Sequence, residues 1–263
     1  MKKYKDFIRI GIKEQLAYPM VILAKLLAKI IYLYLQISLW NALFSSGGQT
    51  NALLNRGETV HYIIIATMIS SFMECDIISW INEQIRTGNI VFDIMRPMDY
   101  KKMAFSRHLG ETIVKIVFLC IPLCILVFSK TSEPLLCRKQ IAIGFLSLCL
   151  GYLIQFLYVL IIGMLAFWLI VTWPLNMLLS AIYKLLSGVW IPLTLFPQFL
   201  YKLNLFLPFR AIYAIPATIL TSPMNIHKIR ADIFTQLLWL FLLFVLMQCV
   251  WKTGKRKLIV QGG

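Results

Sequence analysis

The sequence has few charged residues, and acidic ones are the scarcest. Only 14% of its 263 residues are charged, and 11 Asp and Glu stand against 26 Lys and Arg, a net charge of +15. Soluble domains have about 25% charged and about 45–50% apolar residues, whereas 60% of this chain is apolar. The composition excludes an ordinary soluble domain and predicts a multi-pass membrane protein.

Residues that carry catalysis or bind metals are also few. None of the three histidines belongs to an HExxH motif, and neither GxSxG nor the phosphate loop GxxxxGK[ST] occurs. The six cysteines lie mostly in apolar runs, without metal-site spacing to His or carboxylates. We expect no catalytic residue, metal site or bound cofactor in this chain, so energy for an active process must come from elsewhere.

The basic excess does not indicate a nucleic-acid partner. A nucleic-acid surface gathers its Lys and Arg on one solvated face, whereas these residues lie in short blocks between apolar runs. Such blocks orient membrane proteins, because cytoplasmic loops are enriched in Lys and Arg. Their distribution predicts that both termini are cytoplasmic. The same distribution is compatible with solvated basic loops that have no partner and with loops that contact anionic lipids.

The apolar runs predict an all-α membrane protein with six transmembrane helices, since each span needs about 20 residues. No charged residue occurs between Gln140 and Lys184, which suits two spans joined by a turn at Trp173–Asn176. An amphipathic helix on the cytoplasmic membrane surface is expected over residues 1–18. The spans are expected at residues 19–44, 59–81, 108–128, 141–171, 175–190 and 233–251.

Four ionisable residues fall inside the first two spans, where such groups are functional candidates. The antiparallel directions of these spans place all four at similar depth, so a lysine of one span can pair with a carboxylate of the other. The alternative is that the lysines extend to the lipid head groups. A further pair at helical spacing is expected in the third span, between Glu111 and Lys115. The four residues are Lys25, Lys29, Glu74 and Asp76.

The cytoplasmic segment 82–107 is amphipathic and predicts short helices around Gly88. Its apolar face is expected to comprise Ile85, Ile90, Ile94 and Met95. A short amphipathic helix facing the cytoplasm suits docking into a partner's groove. The expected exposed residues are Arg86, Asp93 and Arg96, and Pro97 is expected to end the element.

The apolar segment 191–220 is interrupted by prolines, which block a continuous helix. Broken backbone at membrane depth requires cover from protein or a water-filled cavity. We expect short re-entrant helices that enter the membrane from outside without crossing it; a kinked additional span is the alternative. The prolines concerned are Pro192, Pro197, Pro208 and Pro216.

The order of these parts resembles permeases of the second ATP-binding-cassette type, the ABC-2 family, in its six-span bacterial branch with separately encoded ATPases. The resemblance covers essentially the whole chain. The branch usually has an aromatic residue soon after its basic tail, where this chain has Leu258 and Ile259. The stretches that carry the resemblance are Arg86–Ile90, Met95–Pro97, Ser187–Pro192, Phe196–Pro197, Leu207–Phe209, Gly254–Lys257 and Gly262–Gly263.

The resemblance implies a dimer of permeases, with a second copy or a sister permease, that carries two cytoplasmic ATPase subunits binding ATP and Mg. It assigns Arg86, Gly88, Arg96 and Pro97 to the coupling helix, which Asp93 joins as an exposed residue of the same segment. It makes segment 191–220 an outer gate and places the protein in the bacterial cytoplasmic membrane.

The predicted function is export of an amphipathic or hydrophobic substrate, such as a peptide antibiotic, a drug or a lipid-like molecule. The alternatives are a membrane scaffold, a membrane-embedded enzyme subunit and an ion-coupled carrier. A carrier would use the intramembrane charges as its ion path, but the sequence lacks the inverted repeat that many carriers have.

Overall fold

The computed structural model describes residues 2–45, 56–128, 140–169 and 173–261, and within them it is helical, without a β-strand. The described residues include five helices long and apolar enough to cross a membrane, which confirms the predicted all-α membrane fold. These five are Pro19–Ser45, Gly57–Arg86, Tyr100–Val127, Ile141–Phe167 and Ile226–Lys257.

The individual helices follow from apolar runs interrupted by polar or proline-containing stretches. A π-helical turn (Ile116–Cys120) interrupts the third of the long helices. In chain order they are α1 (Lys2–Leu16), α2 (Pro19–Ser45), α3 (Arg56–Met73), α4 (Ile77–Arg86), α5 (Ile90–Met95), α6 (Tyr100–Lys115), α7 (Ile121–Phe128), α8 (Ile141–Met164), α9 (Trp173–Leu186), α10 (Gln198–Leu205), α11 (Phe209–Ile212), α12 (Ala214–Thr221) and α13 (Ile226–Gln261).

The span expected at residues 175–190 corresponds to α9, which has 14 residues. At 1.5 Å per residue it is about 21 Å long, shorter than the hydrocarbon core of about 30 Å. The six-span count therefore stays a prediction. The expected turn at Trp173–Asn176 forms the first turn of α9 instead, where a proline such as Pro174 is tolerated; residues 170–172 lie outside the described ones.

The third long helix begins earlier than the sequence predicts. It starts at Tyr100 rather than near residue 108, because Asp99 caps it by accepting a hydrogen bond from the Lys101 backbone N–H at 2.9 Å. The ring of Tyr100 then stacks between Trp80 and Trp251, with centroid distances of 5.8 and 5.0 Å. The polar connection between the second and third long helices is correspondingly shorter.

Helix α8 lies at the centre of the described structure and contacts α4, α11, α12 and α13. The fully buried Gln236 of α13 joins three of these helices. Its Nε2 donates to the carbonyl oxygens of Ser147 and Ala211, at 3.0 and 2.8 Å, and its Oε1 accepts from the Ser147 hydroxyl at 2.9 Å. Helix α2, by contrast, packs mainly on α3 and exposes most of its surface.

The proline-interrupted segment forms short helices, much of which are buried against α8 and α3. Pro192 precedes a 3-10 turn (Leu193–Leu195), while Pro197 and Pro208 immediately precede α10 and α11. Pro216 does not interrupt a helix as expected, because it occupies the first turn of α12, where no intrahelical N–H bond is lost.

Helices α1 and α6 cross at a pair of glycines, Gly11 and Gly110. A Cβ atom on Gly11 would lie 2.3 Å from the carbonyl oxygen of Arg107, and one on Gly110 would lie 2.2 Å from that of Ile8. The two backbones are therefore in direct contact, with room for neither side chain. An ion pair between Arg107 and Glu14, at 2.6 Å, holds the same crossing.

We expect Gly11→Ala and Gly110→Ala each to lower the free energy of unfolding by about 1–3 kcal/mol, because the helices must separate to admit the methyl group. Thermal unfolding of the detergent-solubilised protein, followed by circular dichroism, measures this loss. Gly57→Ala is the matched control, since a Cβ there meets nothing within 4 Å. Equal midpoints for the three variants would contradict the close crossing.

Candidate functional site

The second long helix is broken at the position of its two carboxylates. Helix α3 ends at Met73 and α4 begins at Ile77, so Glu74 and Asp76 lie on non-helical backbone. Such a break leaves carbonyl groups without intrahelical partners, and in a membrane other protein groups must bond them. The Met73 carbonyl accepts from the amide of Gln155, and the Glu74 carbonyl accepts from Lys115 Nζ at 2.5 Å.

Four lysines surround the two carboxylates at this break. The structure brings together the four residues named from the sequence, pairing Lys29 with Glu74 and Lys25 with Asp76. It adds Lys184 of α9 and Lys115 of α6, which sequence reasoning missed. The distances from Nζ to carboxylate oxygen are 2.9 Å for Lys29–Glu74, 3.4 Å for Lys25–Asp76, 3.5 Å for Lys184–Glu74 and 3.6 Å for Lys115–Asp76.

The pair expected between Glu111 and Lys115 is wrong. Lys115, whose side chain is 4% exposed, turns toward the break, where a carboxylate and a free carbonyl oxygen are both within reach. Glu111 is buried beside Arg107 instead, with Oε1 3.6 Å from Nε. Arg107 also binds Glu14 of α1, whose pKa is raised by burial, an effect that Arg107 partly offsets.

A cavity of about 380 Å³ adjoins the cluster between α2, α3, the π-helical turn and α9. Lys25, Lys29, Glu74 and Lys184 line it together with apolar and hydroxyl-bearing side chains. A second cavity of about 370 Å³ lies beside α4, α8 and α9 and shares Glu74 and Lys184 with the first. The charged residues therefore line two half-open cavities whose walls are partly apolar.

The residues assigned to partner docking surround the short helix α5, which itself contains Asp93. Gly88 adopts a φ of +76°, a conformation that favours glycine and turns the chain out of α4. Arg86 pairs with Glu83 at 3.1 Å, and Arg96 pairs with Asp93 at 3.3 Å. Burial raises the pKa of Asp93, and Arg96 offsets part of that rise. Pro97 follows in the link to α6.

The exposed face of α5 differs from the predicted one. Ile90 is fully buried and Ile94 packs against the core, so this part of the predicted apolar face points inward. Arg86 and Arg96 are exposed as expected, whereas the side chain of Asp93 is only 12% exposed. Val91, Phe92 and Met95 point outward, with Phe92 67% and Met95 76% exposed. Because α5 has only six residues, its pattern of apolar residues does not determine which face of the helix points toward the core.

The charge cluster can be tested by a double-mutant cycle on Lys29→Met and Glu74→Gln. We expect a coupling energy of about 1 kcal/mol, because the side chain of Lys29 is only 16% exposed while that of Glu74 is 38% exposed, so water screens the pair in part. Chemical denaturation in mixed micelles of the single and double variants gives this value. The surface pair Arg86–Glu83 is the control, with an expected coupling below about 0.5 kcal/mol; equal coupling in both cycles would argue against a shielded pair.

Comparison with known proteins supports the resemblance inferred from the sequence. No curated protein matches the chain. The sequence model of the family described as ABC-2 family transporter protein, however, matches residues 30–262, which include the helix break, α5 and the proline-interrupted segment. The chain therefore belongs to the ABC-2 family of transporter proteins, as a multi-pass membrane permease subunit.

Proposed function

We propose that this chain is the permease of an ATP-driven exporter and that α5 docks it onto the ATPase. The observation that carries the proposal is the outward apolar face of α5, formed by Val91, Phe92 and Met95 beside the ion pair Asp93–Arg96. A short helix with exposed apolar anchors suits insertion into a partner's groove. In a chain of this family, the natural occupant of that role is the ATPase.

The assembly would contain two permeases and two ATPase subunits. The ATPases bind ATP and Mg, since this sequence contains no phosphate loop of its own. A second copy of the chain, or a sister permease, completes the membrane part, and the largely exposed α2 leaves a surface for it. The protein would lie in a bacterial cytoplasmic membrane, with both termini and α5 inside and no nucleic-acid partner.

The substrate would be an amphipathic or hydrophobic molecule that moves outward. Its pathway runs between the two permeases, and the re-entrant helices of segment 191–220 close its outer end. Burial of α11 and α12 against α3 and α8 supports this gate, because broken backbone at membrane depth needs such cover.

The docking role can be tested with Phe92→Ala and Met95→Ala in the chain co-expressed with its partner ATPase. We expect each variant to weaken ATPase binding by about tenfold, because exposed apolar anchors dominate interfaces of this kind. Affinity of the purified permease for the purified ATPase, by biolayer interferometry in nanodiscs, measures the loss. Substrate-stimulated ATP hydrolysis should fall in parallel.

A matched control is Phe199→Ala in α10, where the side chain is 75% exposed at a segment assigned to the opposite side. It removes an equally exposed aromatic ring without touching α5. Loss of binding in this variant, or full binding in both α5 variants, would refute the docking proposal.

A further inference from the structure

The cavity beside the helix break has a surplus of positive charge. Each carboxylate at the break contacts two lysines, so four ammonium groups face two carboxylates. The net charge of the region stays positive when Arg107 is counted together with its two partners, Glu14 and Glu111. With that group included, five cations face four carboxylates among the described residues of this region.

Part of this surplus lies where solvent compensates it poorly. The side chains of Lys115 and Lys29 are 4% and 16% exposed, whereas those of Lys25 and Lys184 are 39% and 37% exposed. Lys115 and Lys29 both belong to helices long enough to span a membrane. An uncompensated ion away from bulk water is energetically costly, and a nearby opposite charge offsets that cost. A bound anion would supply that charge from within the cavity.

The remaining wall of the cavity is suited to an amphipathic molecule. Tyr32 and Ser70 add hydroxyl groups near the lysines, and Leu119, Val189 and Trp190 form an apolar surface beside them. The lining therefore combines three ammonium groups and one carboxylate with apolar side chains around about 380 Å³. That arrangement matches a small anionic head group attached to an apolar chain.

We propose that this cavity binds the phosphate or carboxylate head group of an amphipathic molecule, held by Lys25, Lys29 and Lys184. This deepens the proposed function, on which it rests, by giving the exported substrate a negative head group. A phospholipid retained from the bilayer has the same head-group chemistry, and the experiments below distinguish the two sources.

Decyl phosphate is a suitable probe, titrated into the purified full-length chain in a neutral detergent and followed by calorimetry. We expect saturable binding of decyl phosphate and none of decyl maltoside, which has the same chain and no charge. Lys184→Gln should weaken the binding by about tenfold, because it removes one charge-assisted hydrogen bond. Lys202→Gln, an exposed lysine of α10, is the matched control and should leave binding unchanged.

Asp76→Asn provides a second variant with the opposite expectation. It removes a carboxylate that competes for Lys25 and Lys115, so decyl phosphate should bind more tightly than to the unchanged protein. If the lysines served only to hold the helices together, Lys184→Gln and Asp76→Asn would both lower stability, and the two variants would not change binding in opposite directions. Equal affinities in the Lys184 and Lys202 variants would overturn the proposal.

The source of the head group follows from two further measurements. If decyl phosphate stimulates ATP hydrolysis in the complex, the anion is an exported substrate. If native mass spectrometry shows an anionic phospholipid that is lost in Lys184→Gln, the anion is a retained lipid. Either result supports the site. Failure of the exporter proposal is distinct, because the chain would then bind decyl phosphate without binding the ATPase.

Discussion

The structure depends on the ion pairs and hydrogen bonds that the carboxylates and carbonyl groups form at the break between α3 and α4. Unpaired charges and unbonded carbonyls are each costly away from water. Their partners come from four other helices, through Lys29 of α2, Lys115 of α6, Gln155 of α8 and Lys184 of α9. The break thus fixes where these helices stand, which the non-directional packing of apolar side chains would not do by itself.

Elsewhere the helices are joined by contacts of a different kind. Gln236 bonds backbone and side-chain groups of α8 and α11, and the α1–α6 crossing relies on close backbone approach. Neither contact involves the charge cluster. Since burying apolar surface does little to associate helices within lipid, hydrogen bonds and close contacts of small residues carry more of the specificity.

Composition and apolar runs were enough to predict the helical membrane fold, because the bilayer imposes length and hydropathy on each span. The break was missed, since no proline or glycine marks residues 73–77 and the helix ends there only through partners distant in sequence. Lys115 and Lys184 were missed for a related reason: a single sequence does not give the rotation of a span about its axis. The depth of Lys29 and Glu74 could be estimated, because depth follows from counting residues along each helix.

The contact between Gly11 and Gly110 has a mechanical consequence. Two helices whose backbones touch, and which an ion pair also joins, do not slide or roll past each other independently. With α1 flat on the membrane, as its amphipathic sequence predicts, α1 and α6 would move as one rigid unit. A tilt of α6 during transport would then change the depth of α1 in the lipid head groups, so the resistance of the bilayer surface to deformation would oppose that tilt.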